Sequence, residues 1–397
     1  MNVVAPFGFY GSGNIGDEAT LRGFACLLRR FPLPARVWVA SMDPRRTARV
    51  EPDFRYYRYH RDSRRYWTSW IRRLAKAYVF PGGTPIMDGL GSWPLSDVVP
   101  MVQHARSNGK PSVFVGTGTE TLERPESRRL VSDGLAGCVA HWSVRGARDR
   151  DRLLALGVPP ERVTVAADMA WLLSPAGSEF GMRTLRPHGL GGRRLIGVNV
   201  NAERALLARE PELFQKLAAA LDALVETRGV SVVFLCNEIR EGESYDKAAA
   251  ARVQSHMRRA GEAFILPNEY WAPDQMMSLI AACDLTISTR YHFCLFSALQ
   301  AVPFVAVSRS DKVADLCEDL AWQFNAVPGS LTVDALVHHA DMLLEDRPRA
   351  RSHLSARVAT MAERALRNSV ALDALRELAR AVPRLHWLRP APRQSAG

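Results

Sequence analysis

The sequence predicts an α/β fold of two Rossmann-like domains around a central cleft. Three observations carry that prediction. The 397 residues exceed the length at which one hydrophobic core keeps growing. Short β-branched runs alternate with amphipathic stretches in both halves, the pattern of doubly wound parallel sheets. Between the halves, over residues 174–194, periodicity stops and Pro175, Gly177, Gly181, Pro187, Gly189, Gly191 and Gly192 accumulate.

Residues 1–174 form the first predicted domain. Val3 and Val4 open it as a strand, a glycine-rich turn follows, and residues 17–30 make an amphipathic helix. Further strands are expected at 36–40, 77–80, 112–115 and 139–144. A linker over 175–194 leads to the second domain, 195–382, with strands at 195–200, 230–236, 264–266, 285–287 and 304–307. That domain ends in helices at about 333–344, 351–369 and 371–382, and a basic tail, 383–397, is expected to fray. Two such halves imply a ligand cleft at the carboxyl ends of both sheets.

Composition narrows the class. Apolar residues make up 47% and charged residues 23%, as in globular chains. No run of ~18 uncharged apolar residues occurs, and Met1-Asn2-Val3 lacks a basic leader, so neither a membrane span nor an export signal is expected. The six cysteines form no C-x-x-C pair and fit reduced thiols in a cytoplasmic protein. A net charge of +11 favours anionic partners, with five lysines against 47 arginines. No zinc-finger spacing, aromatic RNP motif or basic zipper points to nucleic acid.

Two segments carry the candidate chemistry. The first is Gly8-Phe9-Tyr10-Gly11-Ser12-Gly13-Asn14-Ile15-Gly16-Asp17-Glu18, where glycines follow a strand and open a helix. Such a loop lets a ligand approach the backbone, and the free N–H groups of the helix attract anions. A dinucleotide site also wants an acid closing the second strand ~20 residues on, and Asp43 comes later than that. Asp17 and Glu18 in the first turn would repel a pyrophosphate. The plainer alternative is a tight turn with the two acids capping the helix.

The second segment is Ser288-Thr289-Arg290-Tyr291-His292, where a strand ends and a helix begins. Arginine offers a fixed fork of donors for carboxylate or phosphate, and histidine can move a proton near neutral pH. Lys312 opens the helix after the next strand and can point into the same crevice. The alternative for His292 is a core histidine satisfied by a backbone carbonyl.

With these residues in view, the chain resembles the polysaccharide pyruvyl transferase family. The resemblance rests on Gly13-Asn14-Ile15-Gly16-Asp17-Glu18, on Ser143-Val144-Arg145, and on Arg290-Tyr291-His292 followed by Val302-Pro303 and Lys312, and it covers roughly residues 1–320. It implies a fold similar to two-domain GT-B glycosyltransferases and phosphoenolpyruvate as donor, with no further cofactor. Arg145, Arg290, His292 and Lys312 then match catalytic positions, and Ser288, Thr289 and Tyr291 join them around the donor. On the acceptor side stand Gly13, Asn14, Gly16, Asp17, Glu18, Gly82 and Gly83, facing a sugar or lipid-linked glycan. Two departures are visible: Pro81 replaces a glycine before Gly82-Gly83, and Gly146 stands where an Asp usually follows Ser-Val-Arg.

The implied reaction is ketal formation, with His292 as the acid that protonates the donor and Arg145, Arg290 and Lys312 as its cationic grip. The alternatives are a nucleotide-sugar glycosyltransferase on the same architecture and a non-catalytic glycan- or lipid-binding relative.

The remaining motifs are weaker. Asp149-Arg150-Asp151 has a metal-binding spacing but lies in a charged run that reads as a solvated helix face, and no other acid, His or Cys cluster has ligand spacing, so no metal is expected. His141 and Trp142 read as packing residues. No Gly-x-Ser-x-Gly is present. Residues 55–78 hold eight basic residues against one acid, with Trp67, Trp70, Ile71 and Leu74 at helical spacing. They read as a basic amphipathic helix, either buried against the sheet or lying on an anionic membrane at the inner face.

Overall fold

The computed structural model describes residues 2–59 and 73–381. It contains two wholly parallel sheets. The first joins β1 (Asn2–Ala5), β2 (Arg36–Ser41), β3 (Arg55–Arg58), β4 (Ala77–Pro81), β5 (Ser112–Thr117), β6 (His141–Val144) and β7 (Val163–Val165) in the order β3-β2-β1-β4-β5-β6-β7. The second joins β8 (Leu195–Asn199), β9 (Ser231–Phe234), β10 (Ala263–Ile265), β11 (Leu285–Ser288), β12 (Phe304–Val307) and β13 (Asn325–Ala326) in the order β10-β9-β8-β11-β12-β13. Each sheet reverses its strand order once, between β1 and β4 and between β8 and β11. Loops at those reversals splay apart at the carboxyl ends, which is where open α/β sheets bind ligands.

The strands are the β-branched and aromatic runs of the sequence, buried on both faces as helices cover each side. β4, β5 and β8 are buried at every position. Phe80, Phe114 and Trp142 stack across β4, β5 and β6 with centroids 4.4 and 4.0 Å apart, so one face of the first sheet is held by a column of rings.

Three sequence expectations are corrected here. Residues 55–58 are the edge strand β3 rather than part of a helix, and the tryptophan face at Trp67 and Trp70 lies outside the described residues. The 175–194 linker contains the helix Glu179–Leu185, which packs on the helix Pro273–Ala281 of the second domain. A Cβ on Gly181 would stand 2.2 Å from the Ser278 carbonyl oxygen, so glycine there permits close helix contact and does not mark a loop.

The third correction concerns the domain boundary at 382. The helices Val333–Glu345 and Arg347–Leu366 are where the sequence puts them, but the last helix, Ser369–Ala381, crosses back and packs on β5 and β6 of the first domain. Ala371, Leu372 and Leu375 are fully buried there. Asn368 fixes the crossing: its Oδ1 accepts from Ser143 Oγ at 2.7 Å and its Nδ2 donates to the Ala167 carbonyl at 2.9 Å. The basic tail at 383–397 lies outside the described residues, among which no helix is long and apolar enough to cross a membrane.

Candidate active site

The glycine-rich loop leaves β1 and enters the helix Ile15–Arg30. Gly11 and Gly13 have φ of +74° and +103°, values that favour glycine, and the loop doubles back on itself. The N–H groups where the loop enters the helix are already taken. Ile15 N–H donates to the Asn237 carbonyl at 3.0 Å, Gly16 N–H to Asn14 Oδ1 at 2.9 Å, and Asp17 N–H to the Asn14 carbonyl at 3.2 Å. Asn14 is thus the helix N-cap. Gly13 accepts from Ile239 N–H, and Asn14 bridges to Glu238, so the loop clasps the second domain. That matches the tight-turn alternative, with Asn14 rather than the two acids as the cap.

Glu18 belongs to the same clasp. Fully buried, it accepts from Gly11 N–H and from Tyr270 Oη, both at 2.5 Å, and burial raises its pKa. Its neighbour Asp17 is half-buried and has no such partners. Burial first, then Glu238 and Glu18, push the Asp17 carboxyl up to about 6 against the pull of His292 and Arg145.

His292, on the first turn of the helix Tyr291–Leu299, meets the first domain directly. Its Nε2 lies 3.2 Å from Thr20 Oγ1 and 3.3 Å from Asp168 Oδ2. The same Asp168 oxygen stands 2.9 Å from Arg145 Nη2. Asp168 is fully buried, and burial opposes its ionisation. Arg145 first and His292 next outweigh this, holding the carboxyl well below its usual range. Arg145 also donates from Nε to the Gly116 carbonyl at 3.1 Å and lies over the Tyr291 ring.

Glycines make room for this contact. A Cβ on Gly16 would stand 2.2 Å from His292 Nδ1, and one on Gly82 1.9 Å from Thr20 Cγ2. Gly82 is therefore the floor beneath Thr20. Gly83, with φ of +69°, faces open space and accepts from Gly118 N–H.

Lys312, at the start of the helix Asp311–Asp319, donates to Glu120 Oε1 at 2.6 Å across the domains. Burial lowers its pKa, and Arg145 and Arg309 nearby add to that. A small cavity lies between, lined by Gly118, Arg145, Asp168, Tyr291 and Lys312 among others. Arg148 pairs with Asp315 and Glu318, and Arg152 with Asp311, along its rim.

Three of the expected donor contacts sit behind this surface. Arg290 is buried and donates through Nε and Nη2 to Asp246 Oδ1 at 2.8 and 2.5 Å. Ser288 Oγ bonds Asn199 Oδ1, and Thr289 Oγ1 bonds Asn201 Oδ1. These side chains brace the strand ends, leaving Tyr291 to line the cavity, with His292 beside it on Thr20 and Asp168. Asp149, read as part of a solvated face, is buried instead. It accepts from Thr119 N–H and Oγ1 and from Gly146 N–H, which commits the carboxylate to its own loop. Among the described residues no group of three or more His, Cys, Asp or Glu could hold a metal ion.

The structure thus gathers Arg145, Tyr291, His292, Lys312 and Asp17 and adds Asp168, Thr20 and Glu120, which the sequence reading missed. A lone acid in the apolar run Val165-Ala166-Ala167-Asp168-Met169-Ala170-Trp171 was the available signal for Asp168. The family model described as polysaccharide pyruvyl transferase matches residues 14–311. Among solved structures, the chain is similar to a putative UDP-N-acetylglucosamine 2-epimerase from Listeria monocytogenes, at TM-score 0.61 and 14% identity over 94% of this chain and 96% of that one. It is also similar to HepE from Anabaena in complex with UDP-glucose, at TM-score 0.58 and 13% identity over 96% and 98%. UDP-GlcNAc 2-epimerase from Neisseria meningitidis gives TM-score 0.59 and 10% identity over 95% and 100%. At such identities the likeness is one of fold, the two-domain architecture of GT-B glycosyltransferases and sugar-nucleotide epimerases.

Proposed function

Since the chain belongs to the polysaccharide pyruvyl transferase family, we propose that it moves a pyruvyl group from phosphoenolpyruvate to two hydroxyls of one sugar, forming a ketal. The observation that carries this reading is the meeting of Arg145, Asp168 and His292 at the domain junction, beside Lys312.

The chemistry fits what those groups offer. The donor has a nucleophilic C3 and a C2 that becomes electrophilic once C3 is protonated. His292 supplies that proton, one sugar hydroxyl adds to C2, and the C2–O bond to phosphate then breaks. The second hydroxyl closes the ketal. Of the two hydroxyl protons, one balances the proton now in the methyl group and the other leaves with inorganic phosphate. Arg145 and Lys312 provide charge for the donor carboxylate and the departing phosphate in a partly desolvated site, where such groups are worth far more than in water. Asp17, half-protonated near pH 6, can accept a hydroxyl proton. A sugar or lipid-linked glycan is the acceptor class.

The test is phosphate release from phosphoenolpyruvate with a panel of sugar acceptors, with the bridging oxygen labelled as ¹⁸O. Label in the released phosphate and a pyruvyl mass increment on the sugar are expected. His292→Ala should abolish turnover while donor affinity stays within about tenfold. Tight binding of UDP-sugars with none of phosphoenolpyruvate would instead favour a nucleotide-sugar transferase, the ligand class named for the Anabaena and Neisseria structures.

A further inference from the structure

One carboxylate stands between two functional side chains that come from different domains. Asp168 follows β7 in the first domain. Its Oδ2 is 2.9 Å from Arg145 of the first domain and 3.3 Å from His292 of the second. Its Oδ1 accepts from Ala170 N–H at 2.8 Å and is 3.4 Å from Thr20 Oγ1. With its side chain fully excluded from solvent, Asp168 cannot reorient freely.

Nε2 faces a carboxylate, which can only accept, and Thr20 Oγ1, whose own hydrogen has the Gly16 carbonyl at 3.1 Å, so a hydrogen on Nε2 suits both neighbours. In the neutral ring the lone pair then sits on Nδ1, the edge that lies over Gly16. Carboxylate partners fix ring orientation in the same way for metal-ligating histidines, where their loss typically costs about 10–100-fold in affinity or activity. An alternative role is available from the same contacts: Asp168 is the N-cap of the short helix Met169–Leu172.

We propose that Asp168 is the positioning residue of the site, holding His292 by Nε2–H so that Nδ1 is the atom that takes up and delivers the catalytic proton, with Arg145 beside it, and so making donor grip and proton delivery depend on domain contact. The kinetic part of this proposal rests on pyruvyl transfer, but the tautomer does not.

Two variants separate positioning from capping. Asp168→Asn keeps the shape and the oxygen that accepts from Ala170 N–H, yet loses the charge. Asp168→Ala loses both. The first measurement is the imidazole ¹⁵N spectrum of the free full-length protein, with His292→Gln to assign the signal. Wild type should show His292 protonated at Nε2, and Asp168→Asn should show that preference weakened. The second is turnover, where Asp168→Asn should lower kcat about 100-fold with donor KM changed less than tenfold, measured well below an unfolding midpoint that the unpaired Arg145 will lower. Asp168→Glu should recover part of the rate. An Asp168→Asn protein with wild-type spectrum and kcat, beside an Asp168→Ala protein that merely unfolds more easily, reduces Asp168 to a helix cap and overturns the proposal. If wild type releases no phosphate from phosphoenolpyruvate, the donor reading fails, while the spectrum still decides the role of Asp168.

Discussion

Gly16 stands in the first turn of a helix with no left-handed backbone to require glycine; what requires it is the His292 ring. Alanine is the better helix former by about 0.5–1 kcal/mol, but overpacking against the largely buried ring costs about 1–3 kcal/mol, so Gly16→Ala should lower the unfolding midpoint modestly while the protein stays folded. The new methyl must nonetheless push the imidazole off Asp168, and kcat should fall about 100-fold, since misplacement of ~1 Å has that effect. Steady-state kinetics with thermal melts checks both halves. Asp17 gives a pH signature. Its folded pKa, about 6, exceeds the ordinary aspartate value of 3.8, so the folded state binds the extra proton between those values. Stability therefore falls as pH rises through that window and stays lower above it. Asp17→Asn should raise the melting temperature at pH 7.5 and lose that advantage near pH 4. If Asp17 is the base, activity of wild type should climb through pH 6 and the Asn variant should not follow. Much of this residue-level detail was legible as motif, because His292, Arg145 and Lys312 sit at fixed points after strands. The roles of Arg290 and Glu18 were not, because their partners Asp246 and Tyr270 are far away in sequence and join them only through the fold.

Among the elements, the strand end carrying Ser288, Thr289 and Arg290 is a brace. Asp246 collects Arg290, Asn199 Nδ2 and the N–H groups of Asn237 and Glu238, so one buried acid ties β11 to the ends of β8 and β9. Removing one partner of a buried pair strands the other, at about 3–5 kcal/mol. Arg290→Ala should accordingly lower the denaturant midpoint of the protein, and any loss of donor affinity should be accompanied by that destabilisation. A variant that weakens the donor with full stability sends Arg290 back to the binding surface. The elements that escaped the sequence reading did so for physical reasons. β3, Arg55-Tyr56-Tyr57-Arg58, is an edge strand whose two arginines stand three apart, a spacing that reads equally as one face of a helix. β7 has three residues, too few for a period. The helix Glu179–Leu185 hides behind Gly181, whose missing side chain serves contact with Ser278 and mimics loop composition.

For the whole molecule, the described chain crosses between domains twice, once after β7 and once at Asn368. The helix Ser369–Ala381 is covalently an appendage of the second domain and physically a wall of the first. Deleting residues 369–397 should therefore strip hydrogen-exchange protection from β5 and β6 while β8, β9, β11 and β12 keep theirs. Loss confined to the second sheet would contradict that assignment. The crossing also orders events during synthesis. The first sheet leaves the ribosome long before the helix that completes its cover, so Ala371, Leu372 and Leu375 reach it last of all. Until then one side of β5 and β6 is an open apolar surface, exposed while the other domain is still being translated. The domain made first is thus the one that finishes folding last, and a nascent chain stalled before residue 369 would present that surface to chaperones rather than a finished half-enzyme.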